Sequence, residues 1–309
     1  MRFIFLITTA IALMASFAMS ALADERGSAQ NPLRVMLIPA DGGTEDGTRA
    51  DYEPLFNAIT QHHGIHFNIR VGQSYAAVIE AMARSQMDIA WFGPLSYLQA
   101  RERDGAELLA VEVSGGSATY KAALFVRADS GITSIEQLKG KRLALGDVNS
   151  TSSFAFPVAM LVGAGIDPVN DFSRVILAGT HANSLAALGE GRVDVAGAAL
   201  ISYERAVNQG AIDPEKVIPL AVSVDIPNPP MAMHPSLPQD LKDRLRIAFG
   251  SLHETEGVAP EMIRGYGGRV VQKYDATVSE DLFTATGESM QLVDDELKAA
   301  LVRKASEAR

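Results

Sequence analysis

Ile65-His-Phe-Asn-Ile-Arg-Val-Gly-Gln-Ser-Tyr-Ala-Ala-Val-Ile-Glu-Ala-Met-Ala-Arg-Ser-Gln-Met-Asp-Ile-Ala-Trp-Phe-Gly-Pro94 holds three local patterns in succession. Residues 65–71 alternate apolar and polar side chains, as a half-buried strand does. Residues 74–85 place apolar side chains at helical spacing, with Ser74 as the cap. Residues 87–92 return to a strand that stops at Gly93-Pro94. Upstream, Arg34–Ile38 (RVMLI) reads as a buried strand, 39–47 as a loop rich in Gly and acid, and 50–63 as a helix with Tyr52, Leu55, Phe56 and Ile59 on one side. Strand, helix and strand in this order imply a parallel sheet with helices on both faces.

The rhythm continues downstream. Strands are expected near 108–113, 120–126, 142–145, 175–177, 193–199 and 217–224, and helices near 135–139, 152–162, 182–189 and 202–208. A Pro cluster, Ile226-Pro-Asn-Pro-Pro230, follows, and from Leu237 the chain reads as mostly helical. Long extended runs meet turn-rich segments near Val126 and Val222, and the chain between them forms its own βα set. This suggests two lobes, the second inserted into the first.

Composition narrows the function. The 309 residues are 47% apolar and 21% charged, which suits a folded chain with a sizeable core. The net charge of −10 argues against nucleic acid, whose phosphates require a basic face. Zero cysteines exclude a disulfide scaffold, a Cys-ligated metal and a thiol nucleophile. At the N-terminus, Arg2, the apolar run 3–17 and Ala21-Leu22-Ala23 have the layout of a cleaved secretory signal peptide over 1–23. A lipoprotein needs a cysteine at the cleavage site, so the mature chain is expected free in a Gram-negative periplasm.

Chemistry is concentrated at strand-to-helix junctions. Gly146-Asp-Val-Asn-Ser-Thr-Ser-Ser153 ends in four consecutive hydroxyl residues. A helix start offers unpaired backbone N–H groups and a partial positive charge, and hydroxyls there make an oxyanion cradle that needs no Lys or Arg. One Ser or Thr suffices for a cap; four exceed it. Ala178-Gly-Thr-His-Ala-Asn-Ser184 is a second such junction, where His181 can donate a ring N–H and Thr180 and Asn183 can cap. Tyr75 and Tyr120 can donate hydroxyls or simply fill core, and Trp91 can line a cleft mouth or fill core. His62, His63 and His66 straddle helix-breaking Gly64 and read as a solvated turn rather than a metal site. Ser152 and His181 are a conceivable nucleophile–base pair, but no G-x-S-x-G elbow surrounds the hydroxyls and no oriented acid is evident. There is no P-loop and no strand–GxGxxG–helix unit.

Ser74-Tyr-Ala-Ala-Val-Ile-Glu-Ala-Met82 with Met87-Asp-Ile-Ala-Trp-Phe-Gly-Pro-Leu-Ser-Tyr97 resembles the first-lobe signature of the phosphonate-type periplasmic binding proteins. Gly146–Ser153 resembles their anion loop, and Gly179–Leu185, Val193–Ala196 and Ile226–Ala232 follow in the family's order. The likeness spans roughly 33–265. It implies an α/β, two-lobed type II periplasmic-binding-protein fold, each lobe a mixed sheet flanked by helices, with the ligand in the cleft. Lobe 1 would comprise 32–124 plus 222–309, and lobe 2 would comprise 125–221. In the family the matching positions Ser150, Thr151, Ser152, His181, Tyr75 and Tyr120 hold the phosphonate oxygens. No cofactor, metal or catalysis is implied.

Two positions depart from the aminophosphonate binders. Where those carry acids against the ligand's ammonium, this chain has Ile201 and Pro229. An ammonium buried without a counter-charge is costly, so a zwitterionic ligand is disfavoured. The resemblance implies a monomer that hands phosphite or a simple phosphonate to an ABC permease. The alternative is an oxyanion sensor (phosphite, arsenite or arsenate class) that signals to a membrane histidine kinase; such relatives rely on a cysteine, which is missing here. The Ala21-Leu22-Ala23 exit predicts that intact-mass measurement of protein from its native host finds an N-terminus at Asp24 or within a few residues. Full-length chain retained in the membrane is the contrary outcome.

Overall fold

A computed structural model describes residues 25–42 and 44–307. The expected signal peptide lies outside the described residues. The chain builds two principal sheets. The first has six strands in the order Lys273–Asp275, Glu107–Val113, Pro230–Met233, Ile89–Trp91, Leu33–Leu37 and Phe67–Val71. The second has five, in the order Val217–Val222, Ala122–Arg127, Val195–Ala199, Arg142–Leu145 and Arg174–Leu177. The stretch quoted at the outset forms the expected strand, helix (Tyr75–Ala83) and strand, with Ser74 Oγ accepting from Ala77 N–H. The strand at 33–37 pairs in parallel with both flanking strands.

Both sheets are mixed, as the family likeness implied and the bare βα rhythm did not. In the first, Pro230–Met233 runs antiparallel between Ile89–Trp91 and Glu107–Val113. This strand was hidden in the Pro cluster; Pro230 stands at its first position, where a missing N–H is tolerated. In the second sheet, Ala122–Arg127 is antiparallel to both neighbours. Its alternate residues enter different cores: Leu124 and Val126 pack with Phe154, Leu161 and Val195, while Ala123 and Phe125 pack with Leu185, Leu188 and Val217. The period of two therefore buries both faces of one strand.

The expected strand 120–126 is interrupted. Thr119–Tyr120 pairs with Ile226–Pro227 as a separate antiparallel ribbon, and the main strand restarts at Ala122. At this ribbon the chain passes from one sheet to the other and back. A third passage comes near the C-terminus. Phe283 and Met290 belong to the core of the first sheet, whereas Val293 and Leu301 belong to that of the second. Helix Asp295–Glu307 thus packs away from the lobe to which chain order had assigned residues 222–309. A helix's docking face is set by its apolar stripe, and chain order does not reveal which sheet receives that stripe. The region from 237 is less helical than expected, with the strand Lys273–Asp275 and the turn 263–271 between helices Gln239–Ser251 and Asp281–Ser289.

Leu301 is fully buried. Leu301→Ala is expected to cost about 2–5 kcal/mol of unfolding free energy, as deletion of a core side chain does. Urea denaturation measures this; a change under about 0.5 kcal/mol, typical of surface positions, would contradict docking of the helix on the second sheet.

Candidate functional site

The strand Arg142–Leu145 ends at Gly146, and the chain turns into a helix at Ser150. A side chain on Gly146 would collide with Ser153, so the turn closes only on glycine. Ser150 is the N-cap, its Oγ accepting from Ser153 N–H at 3.2 Å. The first turn, Thr151–Ala155, is a wide π turn before the α-helix Phe156–Gly163. Such turns recur at functional sites because they re-aim the groups of one turn. Ser150, Thr151, Ser152 and Ser153 are all buried. Ser150 caps as any N-cap does, while Thr151 and Ser152 engage the other side of the cleft. Thr151 Oγ1 accepts from Leu95 N–H at 2.8 Å, and Tyr120 donates to Ser152 Oγ at 3.0 Å.

Helix His181–Gly189 starts at the second junction, with Thr180 Oγ1 capping Asn183 N–H at 3.1 Å. His181 N–H donates to Ala40 O, in the loop after the first sheet's strand Leu33–Leu37, at 3.0 Å. His181 Nδ1 accepts from Ala199 N–H at 3.0 Å. Burial lowers the ring's pKa to about 4, opposed by the charge of Asp41. At neutral pH the ring is therefore uncharged, and with Nδ1 occupied as acceptor its proton resides on Nε2. Nε2–H can donate and cannot act as a base. The conceivable Ser152–His181 pair is thus not a nucleophile and its base.

These residues meet around one cavity. It is lined by Tyr75, Trp91, Gly93, Tyr120, Pro229 and Tyr266, with Ala40, on one side, and by Ser150, Thr151, Ser152 and His181 on the other. All six expected ligand-binding residues are therefore brought together. The volume open to the centre of a water molecule is ≈ 10 Å³, so the walls are nearly in contact. Burial raises the pKa of the Tyr75 and Tyr120 hydroxyls, with hydroxyls of the anion loop in partial opposition, and both remain protonated donors. No Lys or Arg lines the cavity. Every donor is neutral, which suits a partly or fully ionised oxyanion whose charge is spread over several acceptors.

Pro229 lines the cavity as expected of a wall without charge. Ile201 lies instead on a groove shared by Asp51, Arg205 and Tyr266. Trp91 is both core and cleft wall: it is buried and reaches the cavity. Sequence reading missed Tyr266, which sits in a turn between Gly265 and Gly267 far along the chain. Its ring centroid lies 5.1 Å from that of Trp91 and 6.2 Å from that of His181. The only available signal was the Gly-Tyr-Gly-Gly run itself, in a stretch read as helical. His62 and His63 end the helix Glu45–His63 at left-handed Gly64, and among the described residues no group of three His, Cys, Asp or Glu could hold a metal.

Two mixed α/β sheets facing one another across a cleft lined from both sides define the two-lobed fold of type II periplasmic binding proteins. Residues 43–275 match the family described as ABC transporter, phosphonate, periplasmic substrate-binding protein, and the chain belongs to that family. The "Phosphonates-binding periplasmic protein" of Escherichia coli (strain K12) is 29% identical over 220 residues, which is 69% of this chain and 64% of that protein, just under two thirds of its length. The "Phosphate-import protein PhnD" of Mycolicibacterium smegmatis is 26% identical over 224 residues, 69% of each. The fold resembles that of PhnD1 from Prochlorococcus marinus (MIT 9301) in complex with methylphosphonate, with a TM-score of 0.70 and 15% identity over 83% of this chain and 96% of that one.

His181 makes one pH prediction. In the unfolded chain it titrates at ~6.5, and in the folded one at about 4. As pH falls, the unfolded state takes up the proton first, so folded stability declines between ~6.5 and about 4. His181→Gln removes this contribution. Urea denaturation at pH 7, 5.5 and 4.5 should show wild type losing more stability than the variant across that window. Parallel losses would mean that the ring is not held neutral.

Proposed function

We propose that this chain captures a small tetrahedral phosphorus oxyanion, phosphite or a simple phosphonate, in the periplasm and delivers it as a monomer to an ABC permease. One observation carries the reading. Ser150, Thr151, Ser152, His181, Tyr75 and Tyr120 line one cation-free cavity from both sides, and the His181 ring, with Nδ1 occupied, has Nε2–H left to donate. The likenesses to a phosphonate-binding, a phosphate-import and a methylphosphonate-bound protein support phosphorus oxyanions as the ligand class. The family match to transporter binding proteins supports the importer reading over the sensor.

In this reading the ligand oxygens take over the bonds that the donors now make to one another, such as Tyr120 to Ser152 and Leu95 N–H to Thr151. The walls must part for the ligand to enter. We place the hinge at the ribbon Thr119–Tyr120 with Ile226–Pro227 and at the passage near 290–293, where the chain crosses between the sheets. The lobes then follow the two sheets, with 295–307 moving with the second. Ligands exchange by opening about such crossings in proteins of hinged design.

Selectivity follows from acceptors. A monoprotonated ligand brings a P–OH donor, and an unpaired donor in a closed cleft is costly. Asp41 is unsuited to accept it: Oδ1 already receives Ser202 and Tyr266, and Oδ2 faces Arg205. No carboxylate lines the cavity, so a P–OH would fall to a neutral hydroxyl oxygen such as Thr151 Oγ1 or Ser152 Oγ and would displace a donor to the ligand; Asn228, buried beside Pro229 with Oδ1 unpartnered, does not line the cavity. Phosphite and methylphosphonate dianions are thus favoured over monoprotonated phosphate and over 2-aminoethylphosphonate, whose ammonium has no partner.

Calorimetry with these four ligands tests the order, and tightest binding of 2-aminoethylphosphonate would overturn it. With the tightest of the four, Thr151→Val and Ser152→Ala should each lose on the order of 1.5–3 kcal/mol, the worth of a hydrogen bond to a charged group. That is roughly ten- to a hundredfold in Kd. Unchanged affinity in both would place the ligand elsewhere.

A further inference from the structure

The cavity has a built wall on the side away from the hydroxyl loop. Tyr266 borders the anion cavity, the space around Asp41 and Asp51, and the outer groove of Ile201, Glu204, Arg205, Asn208 and Arg269. The volume open to the centre of a water molecule rises from ≈ 10 Å³ in the cavity to ≈ 360 Å³ in that groove. One aromatic ring therefore lies between a tight polar cradle and a roomy, partly apolar channel.

The ring is fixed from every direction. Tyr266 N–H donates to Glu112 Oε2 at 2.6 Å, and Arg269 pairs with Glu112 Oε1 at 2.6 Å. Glu112 is itself fully buried, and a side chain on Gly265 would collide with it. Gly267 and Gly268 have left-handed φ of 64° and 74°, and a Cβ on either would press on the Asp41–Arg205 pair or on Asp51. The hydroxyl meets Ser202 Oγ at 2.8 Å and donates to Asp41 Oδ1 at 3.1 Å. Trp91 and Tyr120 flank the ring at 5.1 Å and 6.5 Å. A side chain held by a buried carboxylate at its base and by two partners at its tip does not swing aside readily for a ligand.

We infer that Tyr266 is the specificity-determining wall of the cleft: it limits the ligand's fourth substituent to hydrogen or methyl by separating the oxyanion cradle from the 201–209 groove. This rests on the oxyanion reading above. A longer unbranched substituent would have to occupy the ring's own volume. With the ring removed, the chain of such a ligand can run past Ile201 into the groove, where the cations Arg205 and Arg269 are already paired with Asp41, Asp51 and Glu112. An uncharged alkyl chain needs no partner among these charges or the Glu204 carboxylate, so it reports the opening of the channel by shape alone.

The test is calorimetric titration of the full mature chain with phosphite, methylphosphonate and n-butylphosphonate, for wild type and for Tyr266→Phe, Tyr266→Leu and Tyr266→Ala. Wild type and Tyr266→Phe, which keeps the ring, should bind n-butylphosphonate at least about a hundredfold more weakly than methylphosphonate, as two or more unaccommodated methylenes imply. Tyr266→Leu and Tyr266→Ala should narrow that ratio by on the order of tenfold or more. Tyr266→Leu keeps an apolar side chain in place should the alanine variant fail to fold. The inference is overturned if wild type binds n-butylphosphonate as well as methylphosphonate, or if the folded small-side-chain variants still bind methylphosphonate with the ratio unchanged. If wild type binds none of the three, the oxyanion reading itself falls and takes the wall with it.

Discussion

The start of a helix leaves backbone N–H groups without intrahelical partners, and this chain puts such a start at the end of an interior strand, facing the other sheet. The buried segment Ser150–Ser153 cannot be solvated freely. Ser150 Oγ meets the Ser153 N–H within the segment, and the hydroxyls of Thr151 and Ser152 find their partners across the cleft. The rest of the arrangement follows from that need. Leu95 N–H, the Tyr120 hydroxyl and the neutral ring of His181 are brought to the same point, and no cation is present to collapse onto the site. The cavity thus offers neutral donors and no full counter-charge.

A second set of interactions holds the opposite side of the cleft. Asp41 belongs to the loop after the first strand of the first sheet, and Ser202 and Arg205 to helix Leu200–Asn208 of the second. Ser202 donates to Asp41 at 2.5 Å, and Arg205 reaches Asp41 and, at 2.9 Å, Asp51. These ties bridge the two sheets without touching the hydroxyl loop. Partly buried pairs of this kind give geometry more reliably than net stability, since desolvation offsets much of the attraction. Their position beside Tyr266 links the shape of the cavity to the closure of the two sheets.

Local rules and long-range packing separate cleanly along the chain. Caps act over three residues, so Ser74 and Thr180 were legible as caps from sequence and are caps in the structure, whereas the helix expected from 152 starts at 151 with Ser150 as its cap. The strand at 142–145 was legible because an apolar run ended at glycine. The strand at 230–233 was not, because Pro, Asn and Pro before it signal a turn while its hydrogen-bond partners lie more than a hundred residues upstream. The π turn at 151–155 was likewise invisible: periodicity reports a helix and not the width of its first turn.

The sequence by itself determined the α/β class and the two strand-to-helix junctions with their hydroxyls and His181, since donor chemistry belongs to the side chain, while Tyr75 and Tyr120 stayed open between donor and core until the family likeness was added. Tertiary structure alone decided which donors share a cavity. It also decided that His181 carries its proton on Nε2, because the Ala199 N–H that occupies Nδ1 comes from a strand edge 18 residues away. It decided the place of Tyr266, whose turn is anchored by Glu112, a buried carboxylate 154 residues earlier in the chain. And it decided that the last helix packs on the second sheet, because an apolar stripe states that a face must be buried and leaves open against what.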